Sequence, residues 1–275
     1  MPVKPQHVYL SPHLDDAVLS CGGCIHRQVQ AGEPVLVVTI FAGRPDYHDL
    51  SPFAQELHAR WGNPPDPVDT RRAEDWAALR RLGATPLHLE YLDCIYRRHP
   101  QSREWLYTSD AALFGPVHPA EQEWAHTLAD ILAHHPAIPA EATLYAPLAV
   151  DRHVDHQLVH RAARELLAQG RTVLFYEDYP YAEEPTAVEE AIANAPWQPE
   201  LVPLSEEDVQ ARIEATLCYA SQMGVLFAGA EWVPEQMREY MAALARGKGY
   251  AERFWRLRSK SPGGTRGGPS SSRLP

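Results

Sequence analysis

His7-Val8-Tyr9-Leu10-Ser11-Pro12-His13-Leu14-Asp15-Asp16 sets a short apolar run directly against a polar cluster. His7–Leu10 reads as a strand, and a helix is predicted from about Ala17 to Ala31, so His13, Asp15 and Asp16 fall in the turn between them. Outward from this unit the rhythm repeats. Pro34–Phe41 is a continuous apolar run, as in a parallel strand covered on both faces. Asp69–Leu82 reads as a helix that stops at Gly83, followed by a third strand over Leu87–Leu92. Glu121–His135 is helical, Ala142–Ala146 a strand, Asp155–Gln169 a helix and Thr172–Tyr176 a further strand. Strands alternating with helices predict an α/β fold, a Rossmann-like, doubly wound, mostly parallel sheet flanked by helices.

The last third departs from this rhythm. Ser205–Met223, with Ser205 as N-cap, and Glu235–Arg246 read as helices after a Pro-broken acidic stretch, Tyr179–Pro203. These predict C-terminal helical additions to the sheet, within one domain spanning residues 1–258. Residues 259–275 are mostly Gly, Pro and Ser and predict a disordered basic tail.

With 275 residues, 45% hydrophobic and 22% charged, the chain can bury a sizeable core. Its net charge is −11 although six basic residues and no acid lie from Arg253 onward. An acidic body repels phosphate backbones and anionic membranes, so neither nucleic acid nor membrane is an expected partner. No apolar run reaches the roughly 18 residues of a membrane span, and the first residues lack the apolar stretch of a secretory signal, which predicts a cytoplasmic protein. Four cysteines are too few for a disulfide scaffold. Cys21-Gly22-Gly23-Cys24 has redox spacing, but small thiols packed near a helix start explain it more simply. The sequence carries no signal for oligomeric state; a homo-oligomer is compatible with it.

In an open parallel sheet, ligands bind outside the carboxyl ends of the strands. Two polar clusters fall there. His13, Asp15 and Asp16 follow the first strand; Asp151, His153, Asp155 and His156 follow the strand ending near Ala146. Each residue has an ordinary structural use, since Asp15, Asp16 and Asp155 can cap helices and His153 can sit on the surface. Two His/Asp clusters at two strand ends nevertheless point jointly to a metal. Three protein ligands with one open position mark a catalytic zinc site.

Pro12-His13-Leu14-Asp15-Asp16, then Gly22-Gly23, then His153-Val154-Asp155-His156, resembles the LmbE-like (PIG-L) N-acetylglucosaminyl de-N-acetylase family. Weaker matches extend the resemblance over roughly residues 7–257: Arg71-Arg72-Ala73-Glu74, Leu82-Gly83, Tyr219-Ala220-Ser221-Gln222 and Tyr250-Ala251-Glu252-Arg253-Phe254. The resemblance implies a zinc hydrolase that removes an N-acetyl or N-acyl group from an amino sugar or glycoconjugate. It implies zinc on His13, Asp16 and His156, with iron(II) or another divalent metal as the alternative ion. It implies Asp15 as general base, His153 as oxyanion stabiliser or proton donor, and Asp155 as a residue that orients its neighbours. Arg71 and Asp93 are expected to hold the substrate. Leu14, Ala17 and Val154 depart from the family's usual Pro, Glu and Pro, and none is an expected ligand. Val150-Asp151-Arg152 stands where some relatives carry a glycine-rich, tyrosine-bearing loop; Arg152 reads as a surface ion-pair residue or as a cation facing a carboxylate or phosphate of the substrate.

Two other readings use the same residues. Two His and one carboxylate also describe a non-haem iron(II) enzyme. A Rossmann-like module that binds metal without catalysis is the third reading. No Gly-x-Gly-x-x-Gly follows the first strand, which argues against dinucleotide binding. Trp105, Tyr107 and Phe114, in an irregular stretch, read as a packed loop or as a sugar-stacking groove.

Overall fold

The computed structural model describes residues 4–258; the expected tail lies outside them. Seven strands form one sheet: β1 (His7–Ser11), β2 (Val35–Thr39), β3 (Thr85–His88), β4 (Thr143–Pro147), β5 (Val173–Tyr176), β6 (Trp197–Leu204) and β7 (Tyr250–Leu257). Their order is β3-β2-β1-β4-β5-β7-β6. The first five are parallel, with His7 opposite both Val35 and Thr143, whereas β7 runs antiparallel to β5 and β6. The chain steps outward from β1 to β3, then returns to β4 on the other side. β1 and β4 therefore bound the switch point, where diverging loops leave a crevice at the carboxyl ends of the strands.

Ten helices are described: α1 (Asp16–Gln30), α2 (Pro52–Arg60), α3 (Pro67–Leu82), α4 (Asp110–Leu113), α5 (Trp124–His134), α6 (Val154–Ala168), α7 (Pro185–Ile192), α8 (Glu206–Thr216), α9 (Met223–Leu226) and α10 (Val233–Leu244). The pleat explains how they cover both faces. Val8, Leu10, Leu36 and Val38 point to one side and pack with α5 and α6; Tyr9, Val35 and Val37 point to the other and pack with α1, α3 and α8. Each fully buried aliphatic side chain contributes roughly 1.5–3 kcal/mol.

The α/β expectation is met, with two differences. The third strand is Thr85–His88, displaced from Leu87–Leu92. The final third adds two strands as well as helices, where sequence patterning suggested helices and loops. β6 contains Pro199 and Pro203, which disrupt the strand signal; as the edge strand it tolerates missing donors. Ser205 caps α8 through a capping box with Asp208, and α8 ends at Thr216. A short turn, Ala220–Gln222, precedes α9.

A buried clamp ties β7 to α1. Glu252 accepts hydrogen bonds from the backbone N–H groups of Gly23 and Cys24 at 2.9 and 2.8 Å. Arg212 of α8 pairs with Glu252 at 3.1 Å and donates to the Leu19 carbonyl. The two glycines make room for it. A Cβ on Gly22 would meet Arg212 Cγ at 2.9 Å, and one on Gly23 would meet Leu204 at 2.7 Å.

Candidate active site at the switch point

The loop after β1 and the loop before α6 bring the two polar clusters together. His13 Nε2 lies 3.0 Å from Asp155 Oδ2 and 3.7 Å from Asp93 Oδ2. His156 Nδ1 lies 3.1 Å from Asp178 Oδ1. A carboxylate only accepts, so these nitrogens carry the protons. In the neutral rings the opposite nitrogens then present lone pairs. His13 Nδ1 is 3.4 Å and His156 Nε2 3.2 Å from the same atom, Asp16 Oδ2. Asp16 Oδ2 also accepts the His13 backbone N–H at 2.7 Å, which holds the carboxylate in place, and with neutral rings no side-chain proton lies among the three atoms, an arrangement that fits a cation. The ring nitrogens of His13, His153 and His156 also lie within 4.8 Å of one another.

The electrostatics agree. Burial disfavours charge on His13, but Asp93, Asp155 and Asp16 outweigh it and raise its pKa to about 10. Asp151 and Asp16 likewise overcome burial and raise that of His156. The pocket therefore takes up positive charge. Each imidazole is tethered through its far nitrogen to a buried carboxylate, as is usual for metal-binding histidines.

Asp15 sits beside this cluster, with Oδ2 3.5 Å from Arg71 Nη2. Burial pushes its carboxyl up to about 6, against the lowering effect of Arg71. Arg71, on α3, also lies over the Trp61 ring at 5.0 Å. Asp93 Oδ1 accepts from the Ile95 N–H at 3.2 Å, which aims its other oxygen toward His13. His153 accepts the Asp155 N–H on Nδ1 at 3.2 Å, so the neutral ring carries its proton on Nε2, which lies 3.9 Å from the Cys94 sulfur. Burial, then the nearby His13, push its pKa down to about 4.

His13, Asp15, Asp16, Arg71, Asp93, His153 and His156 all line one cavity of about 310 Å³. Asp155 and Arg152 do not join them. Asp155 is fully buried beneath His13 and bonded to the Cys94 N–H and Arg97. It positions His13 and cannot touch a substrate. Burial opposes its ionisation, but Arg97 and His13 hold its carboxyl below the usual range. Arg152 has a left-handed backbone, φ 61°, and its exposed side chain lines a separate groove with Ala187, Glu190 and Asn194. Of the three aromatic residues, Phe114 lines the cavity, Tyr107 is buried, and Trp105 lies under Arg98 in another groove.

Sequence reasoning missed Asp178, Arg97 and two further residues that line the cavity, Tyr181 and Gln222. Asp178 had a signal, because it follows β5 at the same sheet edge. Arg97 and Tyr181 lie in irregular stretches, and Gln222 stood only in a weak motif. His160 donates to or accepts from nothing in the site; its Nδ1 bonds the Pro147 carbonyl at 3.0 Å. Cys21 and Cys24 are buried free thiols on α1.

The doubly wound sheet thus carries a buried carboxylate beside a cation-attracting His/Asp cluster at its switch point. The chain belongs to the GlcNAc-PI de-N-acetylase (PIG-L) family, whose model matches residues 8–167. It is similar to 2'-N-acetylparomamine deacetylase from Streptomyces fradiae, 29% identical over 96% of this chain and 87% of that protein. The counterpart from Niallia circulans is 28% identical over 65% of this chain and 68% of its own length. Among solved structures, the zinc-inhibited form of teicoplanin deacetylase superposes with a TM-score of 0.76 at 31% identity, covering 90% of this chain and 96% of that one. A40926 pseudoaglycone deacetylase gives 0.72 at 29% identity, covering 94% and 100%. These relatives are deacetylases, and this enzyme is likewise a hydrolase acting on an amide bond. Among the described residues no helix is long and apolar enough to cross a membrane.

Proposed function

We propose that this protein uses zinc, held by His13, Asp16 and His156, to remove an N-acetyl or N-acyl group from an amino sugar or glycoconjugate. The observation that carries this reading is the convergence of the His13 and His156 lone pairs on Asp16 Oδ2, with Asp15 opening on the same cavity. Two imidazoles and a carboxylate suit zinc, and iron(II) or another divalent ion fits the same residues. When bound, such an ion polarises the amide carbonyl and lowers the pKa of water from about 15.7 to roughly 7.

The protein's own groups divide the remaining work. Asp15, with a pKa pushed up to about 6, is ionised at neutral pH and accepts a proton from the attacking water. General-base assistance of this kind is worth about 10²–10⁴ in rate. His153 is neutral at that pH, so it donates a hydrogen bond from Nε2 to the developing oxyanion and does not act as an imidazolium acid. The proton needed by the departing amine returns from Asp15, the C–N bond breaks, and acetate and the free amine leave. Arg71 and Asp93 offer a cation and a carboxylate to the substrate's polar groups, against the apolar wall of Leu57, Trp61 and Ile95. The names of the relatives favour N-acetylated aminoglycosides or glycopeptide sugars.

The test is amine release by the zinc-loaded and the chelator-treated protein on N-acetylglucosamine glycosides, N-acetylparomamine and an acetylated glycopeptide. Zinc-dependent release of acetate is expected. Zinc binding without release from any of them would favour a non-catalytic module and overturn the proposal.

A further inference from the structure

The turn Tyr219–Gln222 is pinned twice to α3. Tyr219 donates its hydroxyl to Asp75 Oδ1 at 2.7 Å. Glu74 takes both donors of Ser221, the backbone N–H at 2.8 Å and the hydroxyl at 2.6 Å. Arg71, one turn earlier on the same helix, reaches Asp15. One helix therefore positions both the candidate base and this turn.

The relay fixes the orientation of Gln222. Ser221 has a single hydroxyl proton, and Glu74 receives it. The Ser221 oxygen can then only accept from Gln222, so the nitrogen at 2.9 Å is the amide NH₂. The carbonyl oxygen of the Gln222 side chain has no donor among the described residues, although the residue is only 4% exposed and lines the cavity. That oxygen is not among the buried polar atoms sealed without a partner, so a group in the cavity can reach it. The cavity that it faces is the one proposed to hold the sugar.

We propose that Gln222 reads the substrate, its side-chain oxygen accepting a hydrogen bond from one ring hydroxyl of the amino sugar. This inference rests on the deacetylase reading of the same cavity. Glu74 and Ser221 act through Gln222 as positioning residues. Val225, itself exposed, and Leu226, both from α9, line the cavity beside it. An acceptor fixed in this orientation favours a substrate that brings a donor over an analogue that lacks it.

The experiment uses the methyl glycoside of N-acetylglucosamine and the analogues that each lack one ring hydroxyl. Both kcat/KM and calorimetric Kd are measured for the wild type, Gln222→Leu and Ser221→Ala. Gln222→Leu is expected to lower kcat/KM and weaken binding of the parent roughly ten- to hundredfold. For one analogue the wild type and the variant become equal, while the others keep the full ratio. Ser221→Ala, which frees the amide to turn, shrinks the wild type's discrimination against that same analogue and supplies the test should Gln222→Leu fail to fold. Equal losses on every analogue, or none on any, overturn the proposal. Absence of acetate release with ligand binding intact counts against the deacetylase reading instead, and the binding ratios still decide the role of Gln222.

Discussion

Asp178 touches no cavity volume of its own, yet its replacement by Asn tests the metal assignment closely. Its Oδ1 accepts from His156 Nδ1 at 3.1 Å and its Oδ2 from the Val150 N–H at 2.9 Å. Both partners are donors, and Asn keeps one acceptor, so one of the two bonds becomes a donor facing a donor. The negative charge behind the imidazole is lost as well, which lowers the basicity of Nε2. Such partners typically contribute ten- to hundredfold in metal affinity, or about 1.4–2.7 kcal/mol. Asp151 moderates the effect here. Its Oδ2 lies 3.2 Å from the same nitrogen without an aligned hydrogen bond, and it keeps a charge beside the ring. The expected loss is therefore near the lower end, about tenfold. Competition with a chromophoric chelator measures it, and kcat at saturating zinc is expected to stay within a few-fold of the wild type. Unchanged zinc affinity in a variant with native circular dichroism would refute the assignment of His156 Nε2 as a ligand.

Four further outcomes are expected. Asp15→Asn keeps stoichiometric zinc but loses about 10²–10⁴ in kcat, read by acetate release; normal turnover would remove Asp15 as the base. His156→Ala loses zinc itself, measured by metal content after dialysis. Because the base must be ionised and its pKa is raised to about 6, log kcat/KM should fall as pH drops below 6 and level off above it; an acid limb near pH 4 instead would mean that an ordinary exposed carboxylate is being titrated. Glu252→Ala leaves Arg212 buried without its partner and should destabilise the protein by about 3–5 kcal/mol, seen as a lower thermal midpoint.

The sequence was most readable where function is local. His13, Asp15 and Asp16 lie within one strand-to-helix turn, and His153 and His156 within one helix start, so alternating strand and helix patterns put both clusters at the same edge of the sheet. Residues that act across the fold were not readable. Arg97 matters because it neutralises Asp155 at 2.6 Å, and nothing in the spacing of 97 and 155 announces that contact. Gln222 belonged to a motif whose meaning depends on Glu74, far away in the chain. Arg152 failed for a different reason. Its position next to His153 suggested proximity to the substrate, but the backbone at φ 61° turns it away. β6 was hidden by prolines that an edge strand accepts and an interior one does not.

The clamp between Glu252 and α1 has a consequence for the order of events in synthesis. The helix that follows the first ligand turn leaves the ribosome early, but the carboxylate that binds its Gly23 amide lies 229 residues later. Closing so long a loop is an entropic barrier that local pairing cannot lower. A nascent chain that has reached α6 already contains every proposed metal ligand, while α1 still lacks the partner that seats its middle turn. The half of the molecule that carries the proposed ligands thus lacks this contact until β7 is made, and a chain ending before β7 would hold all of those ligands with α1 unclamped.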